Sequence, residues 1–123
     1  TGSIAAFDYA EYRLRALLLQ KNGLTSSIPV SLSLVTTLDT LLLQYNKLTG
    51  RISDIFAPNS TLQVLDLSHN RISGTIPNEL FISSRLRSVA MTDNCIAGEL
   101  SDSICEARML RKLILSGLFS ASK

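Results

Sequence analysis

His69 is the only histidine in the chain; it directly follows Ser68 and stands three residues after Asp66. Serine, histidine and aspartate are the side chains of nucleophilic hydrolysis, which needs a nucleophile, a base and an orienting group converging in one pocket. The stretch LDLSHN around them alternates as a short strand does. On such a strand Asp66 shares the outward face with His69 but is not adjacent to it, and Ser68 points the same general way only where the strand becomes irregular. The three residues do not make a catalytic set. The two cysteines, Cys95 and Cys105, form no CxxC motif. No cluster of metal-ligating residues and no phosphate-binding loop is present. The expectation is a non-enzymatic chain without cofactor or metal.

The polar residue that matters more is Asn70, because it recurs. Leu14, Leu38, Leu62, Leu86 and Leu110 are each separated by 24 residues. With these as position zero, position three is Leu17, Leu41, Leu65, Val89 and Leu113, and position five is Leu19, Leu43, Leu67, Met91 and Leu115. Position eight is Asn22, Asn46, Asn70 and Asn94, and position twelve is Ser26, Gly50, Gly74 and Gly98. Position fourteen returns to Ile28, Ile52, Ile76 and Leu100, with Pro29 and Pro77 next in line. Positions three and five share one face of a strand. One strand per coil must stack on its neighbours, since no coil can bury its apolar side alone. An asparagine at the turn has both donors and an acceptor to offer. It is expected to bond the backbone of its own turn and of the next coil, a ladder that satisfies groups costing about 1–3 kcal/mol each if left buried and unpaired. Glycine at position twelve permits a tight turn, and proline stiffens the start of the return path.

Residues 62–80, LQVLDLSHNRISGTIPNEL, follow the pattern L-x-x-L-x-L-x-x-N-x-L-[ST]-G-x-I-P, with Ile72 as the aliphatic residue after the asparagine. The chain resembles the leucine-rich repeat family in its plant-type 24-residue form. The coil at 38–53 departs only at Ser53, the first coil has Ser26 for glycine, and the fourth departs at Ala97, Leu100 and Ser101. The resemblance implies an α/β solenoid, with a parallel one-strand-per-coil sheet on the concave face and a short 3-10 or irregular convex side. It implies recognition modules that are mostly extracellular or on cell surfaces, and it makes the concave face the expected ligand surface. The predicted organisation is a single repeat domain over 1–123: a partial coil 1–13, full coils 14–37, 38–61, 62–85 and 86–109, and a terminal partial coil 110–123. Thr1–Ile4 fits positions eleven to fourteen of a preceding coil, so the chain reads as part of a longer array. Leu118 stands where the next asparagine would fall, and with Phe119 it is expected to fold over the last coil.

Positions one, two, four, six and seven are expected to point outward from the sheet. The candidate partner-binding residues there are Leu18, Gln20 and Lys21, then Leu42, Gln44 and Tyr45, and finally Asp66, His69 and Asp93. A tyrosine and a histidine beside two neighbouring leucines make the mixed apolar and polar strip from which interfaces are built. The bland alternative is a set of tolerated surface residues. A second feature is basic: Arg13 and Arg15 at the first strand entry, and Arg85, Arg87, Arg108, Arg111 and Lys112 at the last two. It suits an acidic protein or an anionic glycan, or is simply a solvated face. Asn59 is the only glycosylation sequon and lies on a convex loop.

Twelve basic against ten acidic residues leave a net charge of +2, too little to imply nucleic acid. No apolar run is long enough to span a bilayer, so this segment does not itself insert into a membrane. The leading expectation is a module that binds a protein or glycan partner through its sheet face. Its rival is a structural subunit docked through its end coils. Mutations in Leu42, Tyr45 or His69 would disable the first, and mutations in the end coils the second. An ice-binding array would need a regular column, whereas Thr25, Thr49, Ser73 and Ala97 decay along position eleven.

Overall fold

The computed structural model describes residues 2–4, 13–29, 32, 35, 37–52, 61–76, 85–97 and 112–114. The expectations for Asn59, Cys105, Arg108, Arg111, Leu118 and Phe119 lie outside these residues, and so does the side chain of Lys112. Nine short strands are described: β1 (Gly2–Ser3), β2 (Ala16–Leu18), β3 (Leu24–Thr25), β4 (Thr40–Leu42), β5 (Val64–Asp66), β6 (Ser73–Thr75), β7 (Ser88–Ala90), β8 (Cys95–Ala97) and β9 (Lys112–Ile114). Five of them form one parallel sheet in the order β2-β4-β5-β7-β9. Its register holds at 24 residues: Leu17 faces Leu41, Leu41 faces Leu65, Leu65 faces Val89, and Val89 faces Leu113. The repeat period thus appears directly as strand register.

From β4 to β7 the sheet buries its inward column completely. Leu41, Leu43, Leu65, Leu67, Val89 and Met91 are each at most 1% exposed. The return turns add Leu48, Ile52, Ile72 and Ile96 to the same cluster. Leu14, Leu17 and Leu19 of the first coil pack against it while only partly buried. After Pro29 the chain turns tightly, with Leu32 N–H donating to Pro29 C=O and Val35 N–H to Leu32 C=O.

A second line of strand pairing runs beyond the asparagine turn, and the repeat pattern does not announce it. β1 pairs with β3 and β6 with β8, both parallel, with the isolated bridges Ser27–Thr49 and Arg51–Ser73 between. The register here is 22 residues, as in Ser73 facing Cys95. Lys47, Arg71 and Cys95 donate their N–H groups to the carbonyls of Leu24, Leu48 and Ile72. The coils that begin at Leu38, Leu62 and Leu86 are therefore each clamped to the previous one on both sides of the turn.

The ladder forms, but its direction differs from the expectation. Asn46, Asn70 and Asn94 each bond their own turn and the preceding coil, not the next. Asn46 Oδ1 accepts from the N–H groups of Asn22 and Leu24, both at 2.9 Å. Its Nδ2 donates to Leu19 C=O at 2.9 Å and to its own Leu43 C=O at 3.0 Å. Asn70 accepts from Leu48 N–H and donates to Leu43 and Leu67 C=O. Asn94 accepts from Ile72 N–H and donates to Leu67 C=O. Asn46, Asn70 and Asn94 are buried, whereas Asn22 is exposed, and among the described residues its side chain caps Gln20 C=O alone. The turn glycines behave as expected. Gly50 and Gly74 have φ of +96° and +88°, and Ser26 at the same position is held at +65°.

Candidate functional site

Position seven lies between the end of each main strand and the ladder asparagine. Its four residues, Lys21, Tyr45, His69 and Asp93, all adopt the left-handed conformation, with φ of 58°, 60°, 57° and 52°. The reason is local. The chain must leave the strand and swing the next residue inward as a rung, while the N–H of position seven still bonds the following coil. Lys21 N–H donates to Gln44 C=O, Tyr45 N–H to Ser68 C=O, and His69 N–H to Thr92 C=O. Left-handed backbone is costly for most residues and tolerated best by Asn, Asp and Gly. The side chains at this position are free to differ, but the backbone beneath them is not.

Stacked coils then bring these four side chains into one line. The Tyr45 and His69 rings are parallel, 10° apart in tilt, with centroids at 4.2 Å. Lys21 Nζ sits 5.6 Å from the Tyr45 ring centre. At the other end His69 Nδ1 is 2.9 Å from Asp93 Oδ2. The line reads cation, ring, ring, anion. The stack contributes about 0.5–1.5 kcal/mol and the exposed cation over Tyr45 about 0.5–1 kcal/mol. Together they hold the two rings face to face across adjacent coils. Tyr45 nevertheless stays 51% exposed and Leu18 of β2 55%.

The other candidates are placed around this line. Leu18, Leu42 and Asp66 are consecutive neighbours in the register of β2, β4 and β5, so the two leucines form one patch bounded by a carboxylate. Asp66 does not reach His69. Its Oδ1 accepts from Ser68 N–H at 3.0 Å. Ser68 is turned in and buried, and its Oγ accepts from Thr92 N–H at 3.1 Å. His69 thus takes its carboxylate from the next coil rather than from its own strand. Gln20 and Gln44 are half-buried rather than fully outward, and their Oε1 atoms are enclosed without a hydrogen-bond partner among the described residues. Cys95 is an exposed free thiol on β8. No group of three or more metal-ligating side chains occurs among the described residues.

The strand-entry side of the sheet carries a feature that a pattern of arginines only hints at. An open trough of about 400 Å³ runs across the first four coils, bounded by Arg13 and Arg85. Arg15 and Asp39 pair across it at 3.3 Å. Reading position minus one as a column (Arg13, Thr37, Thr61, Arg85) would have revealed it, because neighbouring coils place equal positions side by side.

A parallel solenoid with one strand per coil, a buried asparagine ladder and a leucine core defines the class of this protein. The leucine rich repeat family model matches residues 36–96. The chain belongs to the leucine-rich repeat family. Solved structures agree. The leucine-rich repeat ectodomain of the Arabidopsis receptor kinase HAESA, in complex with an IDA peptide hormone ligand, is 32% identical with a TM-score of 0.88, covering 97% of this chain and 20% of that one. The ectodomain of the Arabidopsis thaliana membrane receptor kinase GASSHO1/SCHENGEN3, in complex with CASPARIAN STRIP INTEGRITY FACTOR 2, is 27% identical with a TM-score of 0.82, covering 97% and 14%. The Arabidopsis thaliana BIR2 ectodomain is 29% identical with a TM-score of 0.74, covering 85% and 55%. The chain therefore spans between 14% and 55% of the length of these ectodomains. No curated protein matches the chain. No described helix is long and apolar enough to cross a membrane.

Proposed function

We propose that this chain is a non-catalytic recognition module that binds a protein partner through its sheet face, as part of a protein of the cell surface or extracellular space. The carrying observation is the line Lys21–Tyr45–His69–Asp93 beside the Leu18–Leu42 patch. Its rings are already ordered by stacking, so a partner that covers them loses little side-chain entropy on the protein's side. Exposed aromatic and apolar groups in a rim of charge are the make-up of binding hot spots. The similar ectodomains whose structures hold peptide ligands support a peptide or protein over a glycan.

The test is selection of binding peptides on the chain from a display library, followed by surface plasmon resonance on variants. Tyr45→Ala and Leu42→Asp should each weaken the selected binders by about tenfold or more, the loss typical of a hot-spot residue. Binders that keep full affinity for both variants would refute the sheet-face reading.

A further inference from the structure

The strand-entry trough is built differently from the ring column, and its chemistry is specific. Arg13 and Arg85 occupy the same repeat position on the first and fourth coils. Among the described residues neither pairs with an acid. Between them the trough offers no free positive charge. Arg15 is engaged by Asp39, and Asp39 also accepts from Thr40 Oγ1. The hydroxyls of Thr37 and Thr61 donate inward, to Leu14 C=O at 2.7 Å and Leu38 C=O at 2.6 Å. What these threonines still present to the trough is acceptor lone pairs. The pattern along the trough is cation, acceptor, acceptor, cation.

Three strand-to-strand steps separate the backbone positions of Arg13 and Arg85, about 14–15 Å at the usual sheet spacing. In an extended peptide, residues i and i+4 share a face and lie about 13–14 Å apart. Closer acids at i and i+2 would span about 7 Å and reach only one guanidinium. A polyanionic glycan with a charge on every unit would set anions against Asp39 in the middle. We infer that the trough binds an extended acidic peptide segment of the form acid-x-x-x-acid, its carboxylates on Arg13 and Arg85 and its intervening N–H groups over Thr37 and Thr61. This rests on reading the chain as a peptide-recognition module, and it adds a second contact line on the opposite edge of the sheet from the ring column.

The probe is a capped peptide, Glu-Ser-Gly-Ser-Glu, titrated into the 15N-labelled chain at low salt. It should shift the amides of Thr37, Asp39, Thr61 and Gln63, and bind more tightly than Glu-Ser-Glu-Ser-Gly or the Gln-for-Glu peptide. Arg13→Gln and Arg85→Gln should each weaken it by about two- to fivefold, the range of an exposed ion pair, with circular dichroism confirming the fold. The double variant should bind it no better than the neutral peptide, whereas Tyr45→Ala should leave this binding unchanged. The inference is overturned if the i,i+2 and i,i+4 peptides bind equally. It is also overturned if both arginine variants retain wild-type affinity, if the shifts centre on Tyr45 and His69, or if a galacturonic acid pentamer binds more tightly than the peptide. Failure of the ring-column test leaves this result untouched, so the two readings fail separately.

Discussion

Replacing Asn70 by alanine tests the ladder at a buried rung with a described rung on either side. The structure says which groups lose their partner. Leu48 N–H is bonded to Asn70 Oδ1 at 3.0 Å and is left without an acceptor. Leu43, Leu67 and Ser68 C=O also lose Asn70, but each keeps a donor, from Asn46 at 3.0 Å, Asn94 at 2.8 Å and Tyr45 N–H at 3.0 Å, so three of the four groups stay paired. The cost is therefore one orphaned buried N–H, about 1–3 kcal/mol, and not four. The gap left by truncation adds to it. Urea unfolding should show a lower midpoint with an unchanged slope, and hydrogen exchange should show the Leu48 amide losing its protection. Asn70→Asp separates the two roles of the side chain. Its Oδ1 still accepts from Leu48, but the other oxygen now faces the carbonyls of Leu43 and Leu67. Burial and those carbonyls raise the folded-state pKa of the new carboxyl above its unfolded value of about 3.9. This variant should be most stable below about pH 4 and lose stability as pH rises through the raised folded value. If Asn70→Ala costs less than about 0.5 kcal/mol and Leu48 stays protected, water or another donor serves the turn and the ladder argument is wrong.

The remaining predictions concern backbone that must turn left-handed. Gly50→Ala should cost about 1–3 kcal/mol in thermal or urea unfolding, because φ is +96° there and a Cβ would meet Ser27 Cβ at 3.0 Å. Ser26→Gly, at the equivalent turn with φ of 65°, should raise stability by up to about 1 kcal/mol by relieving the same strain. Tyr45→Ile should lower the melting temperature more than Tyr45→Asn, since a β-branched residue fits φ of 60° poorly and asparagine fits it well. Equal melting temperatures for these two variants would mean that the position-seven backbone relaxes when its side chain changes.

Much of this was legible because a solenoid makes long-range contacts repeat at a fixed sequence distance. Once Leu41 and Leu65 are seen 24 apart, their pairing in β4 and β5 follows, as does the burial of Leu43 and Leu67 beside them. The role of Asn70 was legible for the same reason. The direction in which the rung reaches was not, because the amide offers donors and an acceptor symmetrically and only the tilt of one coil on another decides which neighbour it meets. The 22-residue register beyond the turn was hidden too, since Ser73 facing Cys95 pairs residues from different repeat positions.

The site shows the same division. Its residues could be placed on one sheet face from their positions in the repeat. The partner of His69 could not, because Asp66 is nearer in sequence while Asp93 is nearer in space. The stacking of Tyr45 on His69 needed the coil spacing and the same left-handed backbone at both residues, which sets the two rings face to face. The sequence by itself determined the repeat, the core and the rungs, since each depends on residue type at a fixed period. Only the tertiary structure decided what adjacent coils do to each other: which side chains stack, which pair, and which arginines are left facing an open trough. Those outcomes depend on distances of a few ångströms between residues a full turn apart, and no local pattern encodes them.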